Sequence, residues 1–411
     1  MAETKQRWQF HWNQLKNEVV DTNLCTGCTG CIVACPHDVL GYDDAWHPFL
    51  ENEARVDGAT DRCMHGEKAC TMCTRACPRF RGWEPEIDEH LWGRTRNYDD
   101  PNEVIGVYQD ILLVRATHEP WAETGQDGGL CSTILIWCLH HGIIDGALVN
   151  YVDENWNATP GVARSTDEVL ASAGSRYTYS ANPLAFQDAV DDGAEKLALV
   201  GMSCQSSVPP AMQVRGARKV AKRIVLNLGL LCSKSFTDDI FEGLLRDEYG
   251  LERTDITKMN IKGKLQLWLR DGINDDNYLE VPLKECHPYT RPGCKTCPDF
   301  AAEHADISLG GLGQTGGWTL TIVRTDEGRK IMDDLIAAGW IETKDAVETD
   351  PKAVELMRKL AAKSRKRWPV KVEIGDKPSG GEAAASDDDT ETAPPADVPA
   401  EFAAAGVLPP D

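Results

Sequence analysis

The sequence predicts a mixed α+β protein made of three consecutive parts. Cysteines are concentrated near the N-terminus, apolar strand-like segments alternate with helical segments through the middle, and the C-terminal segment is acidic and poor in large apolar side chains. Alternation of strands and helices is typical of a mixed or mostly parallel sheet flanked by helices. We therefore expect a cysteine-rich domain with a leading helix over residues 1–100, a sheet-containing core over residues 101–370 and a disordered acidic tail over residues 371–411.

Eight of the 15 cysteines form two runs in the N-terminal domain. The first run has the spacing C-x2-C-x2-C-x3-C-P, and the second has the same spacing with a longer first gap. In bacterial dicluster ferredoxins the fourth cysteine of each run ligates the cluster of the other run. The predicted [4Fe–4S] ligands are therefore Cys25, Cys28, Cys31 and Cys77 for one cluster, and Cys63, Cys70, Cys73 and Cys35 for the second.

Structural zinc is the alternative for these cysteines. A zinc site usually takes two short pairs separated by a longer spacer. Here the first run places three ligands within seven residues, and both runs end in Cys-Pro. This difference favours iron–sulfur clusters over zinc.

The cysteine content also indicates a reducing compartment, where thiols persist. No apolar signal segment opens the chain, and no stretch has the ~20 apolar residues that a membrane helix requires. We expect a cytoplasmic protein without a membrane span, either free or peripheral to a membrane redox complex.

The charge of the chain is strongly negative, at −22. Residues 371–411 carry 10 acidic and 2 basic side chains, and such a segment buries too little apolar surface to offset its chain entropy. The remaining acidic surface argues against nucleic-acid binding, because phosphates would repel it. Residues 352–367 are a basic exception and predict a helix that begins at Asp350 and Pro351. Its apolar stripe is predicted to contain Ala353, Leu356, Met357 and Leu360. A solvated surface helix and a docking face for an acidic electron-transfer partner both remain open.

Apolar runs and helical spacing define the elements of the core. The predicted strands are residues 111–116, 147–152, 197–201, 224–231 and 319–324. The predicted helices are residues 132–141, 187–195, 237–249 and 328–338.

Two glycine-rich segments are candidates for cofactor binding. Gly125, Gly128 and Gly129 lead into the helix at Ser132, so backbone N–H groups and a helix N-terminus are available to a phosphate. Residues 310–317 contain five glycines before a strand, which suits close approach of a flat or phosphorylated ligand. A structural turn and a flexible surface loop, respectively, are the alternatives.

A second group of cysteines lies at predicted strand ends. Cys204 follows one strand and Cys232 ends the next, and strand ends at one edge of a sheet converge. With Cys294 and Cys297 they predict a third cluster, for which zinc is the alternative. Cys286 is a spare that could replace one of the four. The remaining thiols, Cys131 and Cys138, are expected to be packed in the core.

These motifs indicate a redox protein. Iron–sulfur clusters pass one electron at a time, whereas most diffusible organic carriers transfer hydride. A flavin connects the two kinds of transfer. No G-x-G-x-x-G follows a first strand, so a simple nicotinamide site is not indicated.

The core resembles the beta-subunit family of coenzyme F420 hydrogenases and dehydrogenases over residues 105–340. The N-terminal module resembles the ferredoxin domain of the dehydrogenase members. The matching segments, in family order, are residues 125–129, 174–177, 200–205, 228–232, 294–300, 305–310 and 324–328.

The resemblance implies FAD, a nearby [4Fe–4S] cluster and coenzyme F420 as the hydride carrier. It implies that FAD contacts come from Gly125, Gly128, Gly129, Ser132, Thr133, Ser175, Arg176 and Tyr177. It also supports Cys294 and Cys297 as cluster ligands. Ser203 stands where the family has proline, which weakens the assignment of Cys204.

The leading hypothesis is an iron–sulfur flavoprotein that exchanges hydride with coenzyme F420. Single electrons would pass through the clusters to or from a protein partner or a larger redox complex. No catalytic acid–base residue is predicted, since hydride transfer does not require one. The alternatives are a ferredoxin-dependent reductase of an unsaturated organic substrate and a non-catalytic electron-relay subunit.

Overall fold

The computed structural model describes residues 8–56, 61–312 and 316–367. The predicted disordered tail and the first seven residues of the predicted leading helix lie outside these ranges. The strands are β1 (Leu40–Tyr42), β2 (Pro48–Leu50), β3 (Asp110–Ala116), β4 (Gly146–Val152), β5 (Ala158–Ala163), β6 (Leu197–Met202), β7 (Ile224–Leu230), β8 (Ile256–Ile261), β9 (Lys264–Leu269), β10 (Tyr278–Pro282), β11 (Ile307–Gly310), β12 (Thr319–Val323) and β13 (Ile341–Asp345).

Eight strands form one mixed sheet with the order β13-β3-β12-β11-β7-β6-β4-β5. Its centre, from β11 through β7 and β6 to β4, is parallel, and the flanking pairs are antiparallel. The parallel strands are rich in Val, Leu and Ile and are buried, as expected for strands covered on both faces. The α+β fold class predicted from the sequence is confirmed, and all five predicted strands are present.

Helices cover both faces of this sheet and support the N-terminal module. The longer helices are Glu84–Trp92, Glu119–Thr124, Leu130–His140, Thr166–Ala171, Phe186–Asp191, Val208–Val214, Asp326–Ala337 and Pro351–Arg365. Shorter α-helices are Trp12–Leu15, Gly30–Val33, Met72–Ala76, Ser203–Ser206, Arg218–Ala221, Asp247–Tyr249, Leu283–Cys286, Pro292–Lys295 and Ala346–Thr349. Lys16–Val20 and Phe241–Arg246 are π-helical, so the predicted helix at 237–249 is mainly a π-helix. The 3-10 turns are Asn52–Ala54, Glu103–Ile105, Asn182–Ala185, Arg253–Asp255 and His287–Tyr289.

A separate antiparallel sheet, with the order β10-β9-β8, packs beside the core. The sequence analysis did not predict its strands, nor β5, β11 and β13. The edge strand β5 contains Pro160 and Gly161, residues that are tolerated at a sheet edge and weaken a strand pattern.

The predicted C-terminal helix is present as Pro351–Arg365, and the Asp350 side chain caps it by accepting a hydrogen bond from Ala353 N at 3.0 Å. Its buried face contains Ala353, Val354, Met357 and Ala361, while Leu356 is 40% exposed. The prediction that Leu356 belongs to the buried stripe was therefore wrong. In the described part of the chain, no helix is both long and apolar enough to cross a membrane.

Candidate functional site

Sheet topology brings both glycine-rich segments and the core cysteines to one edge. The strands β3, β11, β7, β6 and β4 all end there, and β12 begins there. Met202 of β6 pairs with Leu230 of β7, so Cys204 and Cys232 each lie two residues beyond a matched pair. Parallel register thus explains why two cysteines 28 positions apart in sequence reach the same place.

The four predicted core cysteines lie together. Burial raises the pKa of Cys232 well above its usual value, and the charges of Cys294, Cys204 and Cys297 raise it further. Cys297 is affected in the same way, with its pKa raised by burial and by Cys204. Since such mutual effects require proximity, these thiols form one group, which we call the core cysteine set.

The spare cysteine does not belong to this set. Cys286 is fully buried in an apolar cluster around the small sheet, and its thiol faces the carbonyl oxygen of Pro282 at 3.7 Å. Cys131 and Cys138 pack with the apolar core of the large sheet, as expected. The structure therefore separates these three thiols from the core cysteine set.

The eight N-terminal cysteines line two cavities. The inner cavity is lined by Cys25, Cys28, Cys31 and Cys77, and the outer cavity by Cys35, Cys63, Cys70 and Cys73. These are the two sets that the sequence assigned to separate clusters, including the exchanged fourth cysteines. Within residues 8–56, 61–312 and 316–367, no three His, Cys, Asp or Glu side chains are placed to hold a single metal ion. In both cavities the thiols surround a space instead of converging on a point.

The three cysteine sets follow one another through the molecule. Cys73 of the outer set contributes to the raised pKa of Cys31 in the inner set, after burial and the nearer thiols. Burial and then Cys28 of the inner set raise the pKa of Cys204 to about 11. The order is therefore outer set, inner set, core cysteine set.

An arginine that the sequence analysis missed lies between the inner and core sets. Arg79 lines the inner cavity, and its Nη2 donates a hydrogen bond to Cys297 Sγ at 2.7 Å. It follows Cys77 and Pro78 directly, and this position beside a predicted ligand was the available signal. Tyr179 was also missed, and its hydroxyl lies 3.3 Å from Cys204 Sγ.

Residues 313–315 of the second glycine-rich segment lie outside the described residues, and its described parts, 310–312 and 316–317, face residues 127–128 of the first segment. Gly128 has a φ of +92°, and a β-carbon there would lie 2.6 Å from the carbonyl oxygen of Gly317. Asp127 accepts a hydrogen bond from Lys262 Nζ at 2.9 Å, and its side chain fills the space beside Gly311. Because only glycine fits these close approaches, the two segments form a cleft lined by backbone, which we call the glycine cradle.

Of the other predicted cofactor contacts, Ser132 and Thr133 follow this cradle in the chain. Ser132 and Thr133 are buried in the first turn of the helix Leu130–His140, and Thr133 Oγ1 donates to Gly129 O at 2.9 Å. Burial lowers the pKa of Arg176 to about 10, and the guanidinium donates to the carbonyl oxygens of Ala173 and Gly174.

Tyr177 connects the cradle with the core cysteine set. Its hydroxyl donates to Asn260 Oδ1 at 3.3 Å and accepts from Ile261 N at 3.0 Å. Burial raises its pKa, and both Asp127 and Cys232 contribute to the increase. Tyr177 therefore lies between the glycine cradle and the cysteines.

Comparisons with known proteins identify related chains. Two family models match the chain: the N-terminal part of the coenzyme F420 hydrogenase/dehydrogenase beta subunit over residues 111–187, and the C-terminal part over residues 194–349. The beta subunit of the coenzyme F420 hydrogenase of Methanothermobacter thermautotrophicus is 37% identical, over 64% of this chain and 94% of that protein. A chain of the F420-reducing [NiFe] hydrogenase complex from Methanosarcina barkeri superposes with a TM-score of 0.59 at 30% identity, covering 64% of this chain and 90% of that one.

A further relative matches more of the chain. A subunit of the F420H2 dehydrogenase of Methanosarcina mazei is 28% identical over 85% of this chain and 91% of that protein. Residues 101–411 alone could not supply that share, so this match includes part of the cysteine-rich module. The two family models together cover more than half of the residues. The chain belongs to the coenzyme F420 hydrogenase/dehydrogenase beta-subunit family.

Proposed function

We propose that this chain transfers hydride between coenzyme F420 and FAD and passes single electrons through three [4Fe–4S] clusters to or from a redox partner. Family membership supports the broader statement, that the chain is a coenzyme F420-dependent oxidoreductase. When bound, the flavin exchanges hydride with the deazaflavin and single electrons with the clusters. The observation that carries the proposal is the order of the sites: glycine cradle, core cysteine set, inner set and outer set.

The donor sets fit iron–sulfur clusters. A [4Fe–4S] cluster takes four thiolates around its corners, and each N-terminal set places four thiols around one cavity. Burial and mutual repulsion raise the pKa of thiols such as Cys31 and Cys232, so the polypeptide alone disfavours thiolates at these positions. A bound iron cluster takes these side chains as thiolates, so cluster assembly would release their protons.

The cradle fits a phosphorylated flavin. Gly128 and Gly129 both have positive φ angles and give a ligand access to backbone N–H groups at the start of the helix Leu130–His140. Arg176 bonds only to carbonyl oxygens in the described structure, and its Nε lacks a hydrogen-bond partner there. A partly buried cation without a carboxylate partner favours an anionic ligand, such as a pyrophosphate.

The chain orients its ligands and requires no acid–base residue for the hydride step. Tyr177, held by Asn260 and Ile261, separates the cradle from Cys232 and fixes the gap that an electron must cross. Short and rigid gaps between sites are the contribution expected of the protein.

The test is to purify the protein without oxygen, measure its iron, sulfide and flavin, and then add reduced coenzyme F420. We expect about 12 irons and about one FAD per chain, and loss of the visible flavin absorption followed by reduction of the clusters. If reduced coenzyme F420 left the flavin absorption unchanged while reduced ferredoxin reduced the flavin, the proposal would be rejected in favour of a ferredoxin-dependent reductase. Protein that holds clusters but no flavin would be an electron-relay subunit.

A further inference from the structure

We propose that Arg79 is a cation shared by two [4Fe–4S] clusters, those of the inner and core cysteine sets, and that it raises both reduction potentials together. This inference rests on the proposed function, because it assumes that both sets hold clusters. It identifies a residue that determines how readily the clusters of the inner and core cysteine sets accept electrons.

The geometry places Arg79 in contact with both sets. Its side chain forms part of the wall of the inner cavity, and Nη2 donates to Cys297 Sγ at 2.7 Å. The residue is 4% exposed. It therefore contacts the surroundings of two proposed clusters from within the protein.

Arg79 also has unused hydrogen-bonding capacity. Its Nε and Nη1 are buried and have no hydrogen-bond partner in the described structure. The guanidinium stacks over Trp83 at 5.1 Å, a contact that satisfies none of these N–H groups. An unpaired buried donor is costly, particularly on a charged group. Cluster sulfur atoms in the inner cavity would supply the missing acceptors.

The backbone that carries Arg79 is fixed from the core. Arg215, which follows the helix Val208–Val214, donates to Cys77 O at 2.7 Å and to Phe80 O at 3.0 Å. Phe80 is fully buried. These contacts on both sides of Arg79 hold the backbone from which its side chain extends.

Each cluster gains negative charge when it is reduced, so a nearby fixed cation stabilises the reduced form. Hydrogen bonds to cluster sulfur act in the same direction. The effect is strong in a site of low dielectric constant and weakens with distance and solvent exposure. Arg79 is not part of the outer cavity wall. The outer cluster should therefore be affected little.

The experiment is a redox titration of the three clusters by electron paramagnetic resonance, on protein purified without oxygen. For Arg79→Gln we expect about 12 irons per chain as in the wild type. The reduction potentials of two clusters should fall by ~59 mV, which for a one-electron couple is about a tenfold decrease in the equilibrium constant for reduction. The potential of the third cluster should not change. Arg81→Gln is the matched control, since Arg81 is partly exposed and pairs with Glu18 at 2.7 Å.

Arg79→Lys provides a second variant with the same charge. One ammonium group cannot reach both sets, so we expect one of the two potentials to fall while the other stays near the wild-type value. This result would support the proposal even if Arg79→Gln lost its clusters. If Arg79→Gln keeps its iron, wild-type potentials for all of its clusters would overturn the proposal. If Arg79→Gln loses iron, wild-type potentials for all clusters in Arg79→Lys would overturn it. Wild-type protein without iron would instead reject the proposed function.

Discussion

Gly293 lies directly against Cys25: a β-carbon on Gly293 would be 2.2 Å from the Cys25 carbonyl oxygen. The two residues are 268 positions apart; Cys25 is a predicted ligand of the inner set, and Gly293 directly precedes Cys294 of the core cysteine set. This contact joins the inner cysteine loop to the short helix Pro292–Lys295, which carries Cys294. The absence of a side chain at residue 293 therefore sets how closely two proposed clusters approach.

The substitution Gly293→Ala should separate these two segments. Because the obstructing atom belongs to the backbone, the loop must move, and overpacking of this kind costs about 1–3 kcal/mol of unfolding free energy. Gly316→Ala is the matched control for stability, since a β-carbon there meets nothing within 4 Å. Denaturant unfolding measures the cost, and stopped-flow reduction measures electron transfer to the N-terminal clusters relative to the wild type. Stability equal to that of Gly316→Ala, together with a wild-type transfer rate, would contradict this prediction.

Cysteine substitutions should separate ligands from packed thiols in the core. Cys232→Ala is expected to remove about four irons per chain, because it deletes one thiol of the core cysteine set. Cys286→Ala should leave the iron content unchanged, because Cys286 lies in an apolar cluster apart from that set. Iron and sulfide analysis of protein purified without oxygen decides between them. If only Cys286→Ala lost iron, Cys286 would be the cluster ligand and Cys232 the packed thiol.

Local sequence patterns were sufficient to predict much of this fold. The spacing of the eight N-terminal cysteines was enough to predict which four line each cavity, because the ferredoxin pattern itself encodes the exchange of the fourth ligand. Buried parallel strands such as β6 and β7 were predicted from runs rich in Val, Leu and Ile.

Contacts between distant segments could not be predicted in this way. Arg79 and Cys297 are 218 positions apart, and no local pattern connects them. Leu356 has helical spacing for the buried face, but the helix packs through Val354 and Ala361 instead. Which face of a helix is buried depends on its tertiary neighbours. The strand β9 does alternate in burial, so its period of two was a usable signal that the sequence analysis missed.

A side chain at Gly128 should remove the flavin and spare the clusters. In Gly128→Ala the new β-carbon would lie 2.6 Å from Gly317 O, which would push the two sides of the cradle apart. Gly142→Ala is the matched control, since Gly142 also has a positive φ, of +63°, but a β-carbon there meets nothing within 4 Å. We expect a loss of flavin absorption per chain in the first variant only, with iron content unchanged in both. Full flavin content in Gly128→Ala would place the flavin elsewhere.

Asp306 should make stability depend on pH. Burial raises the pKa of this carboxyl from its usual 3.8 to about 6, despite hydrogen bonds from Asn227 N and Thr325 Oγ1. The folded state therefore binds more protons than the unfolded state between pH ~4 and ~6, and stability falls as pH rises through this window. Relative to Asp306→Asn, the wild type should lose up to about 3 kcal/mol of unfolding free energy across it.

Urea unfolding at a series of pH values measures this difference. Thr325→Val tests its cause, because removal of the hydroxyl donor should raise the pKa of Asp306 further and extend the window to higher pH. The helix cap that Thr325 provides is also lost, but that cost does not vary with pH. A constant difference between wild type and Asp306→Asn from pH ~4 to ~7 would contradict the assignment.

Arg365 should be a major stabilising contact between the C-terminal helix and the rest of the protein. Its guanidinium donates to Glu84 Oε2 at 3.1 Å and to Glu303, and both carboxylates are almost fully buried. Arg96 is the other cation of this network. Arg365 of the predicted basic helix therefore pairs with buried carboxylates. Neither sequence-based interpretation of this helix, a solvated surface or a docking face, predicted this contact.

We expect Arg365→Met to lower the unfolding free energy by about 3–5 kcal/mol, since it leaves buried carboxylates with one cation instead of two. Lys359→Met, at an exposed position of the same helix, should change it by less than about 0.5 kcal/mol. Adding Glu303→Gln to Arg365→Met should recover part of the loss, because the uncompensated charge is then removed. Denaturant unfolding of the three proteins tests this coupling, and strictly additive effects would show that Arg365 stabilises the helix through packing alone.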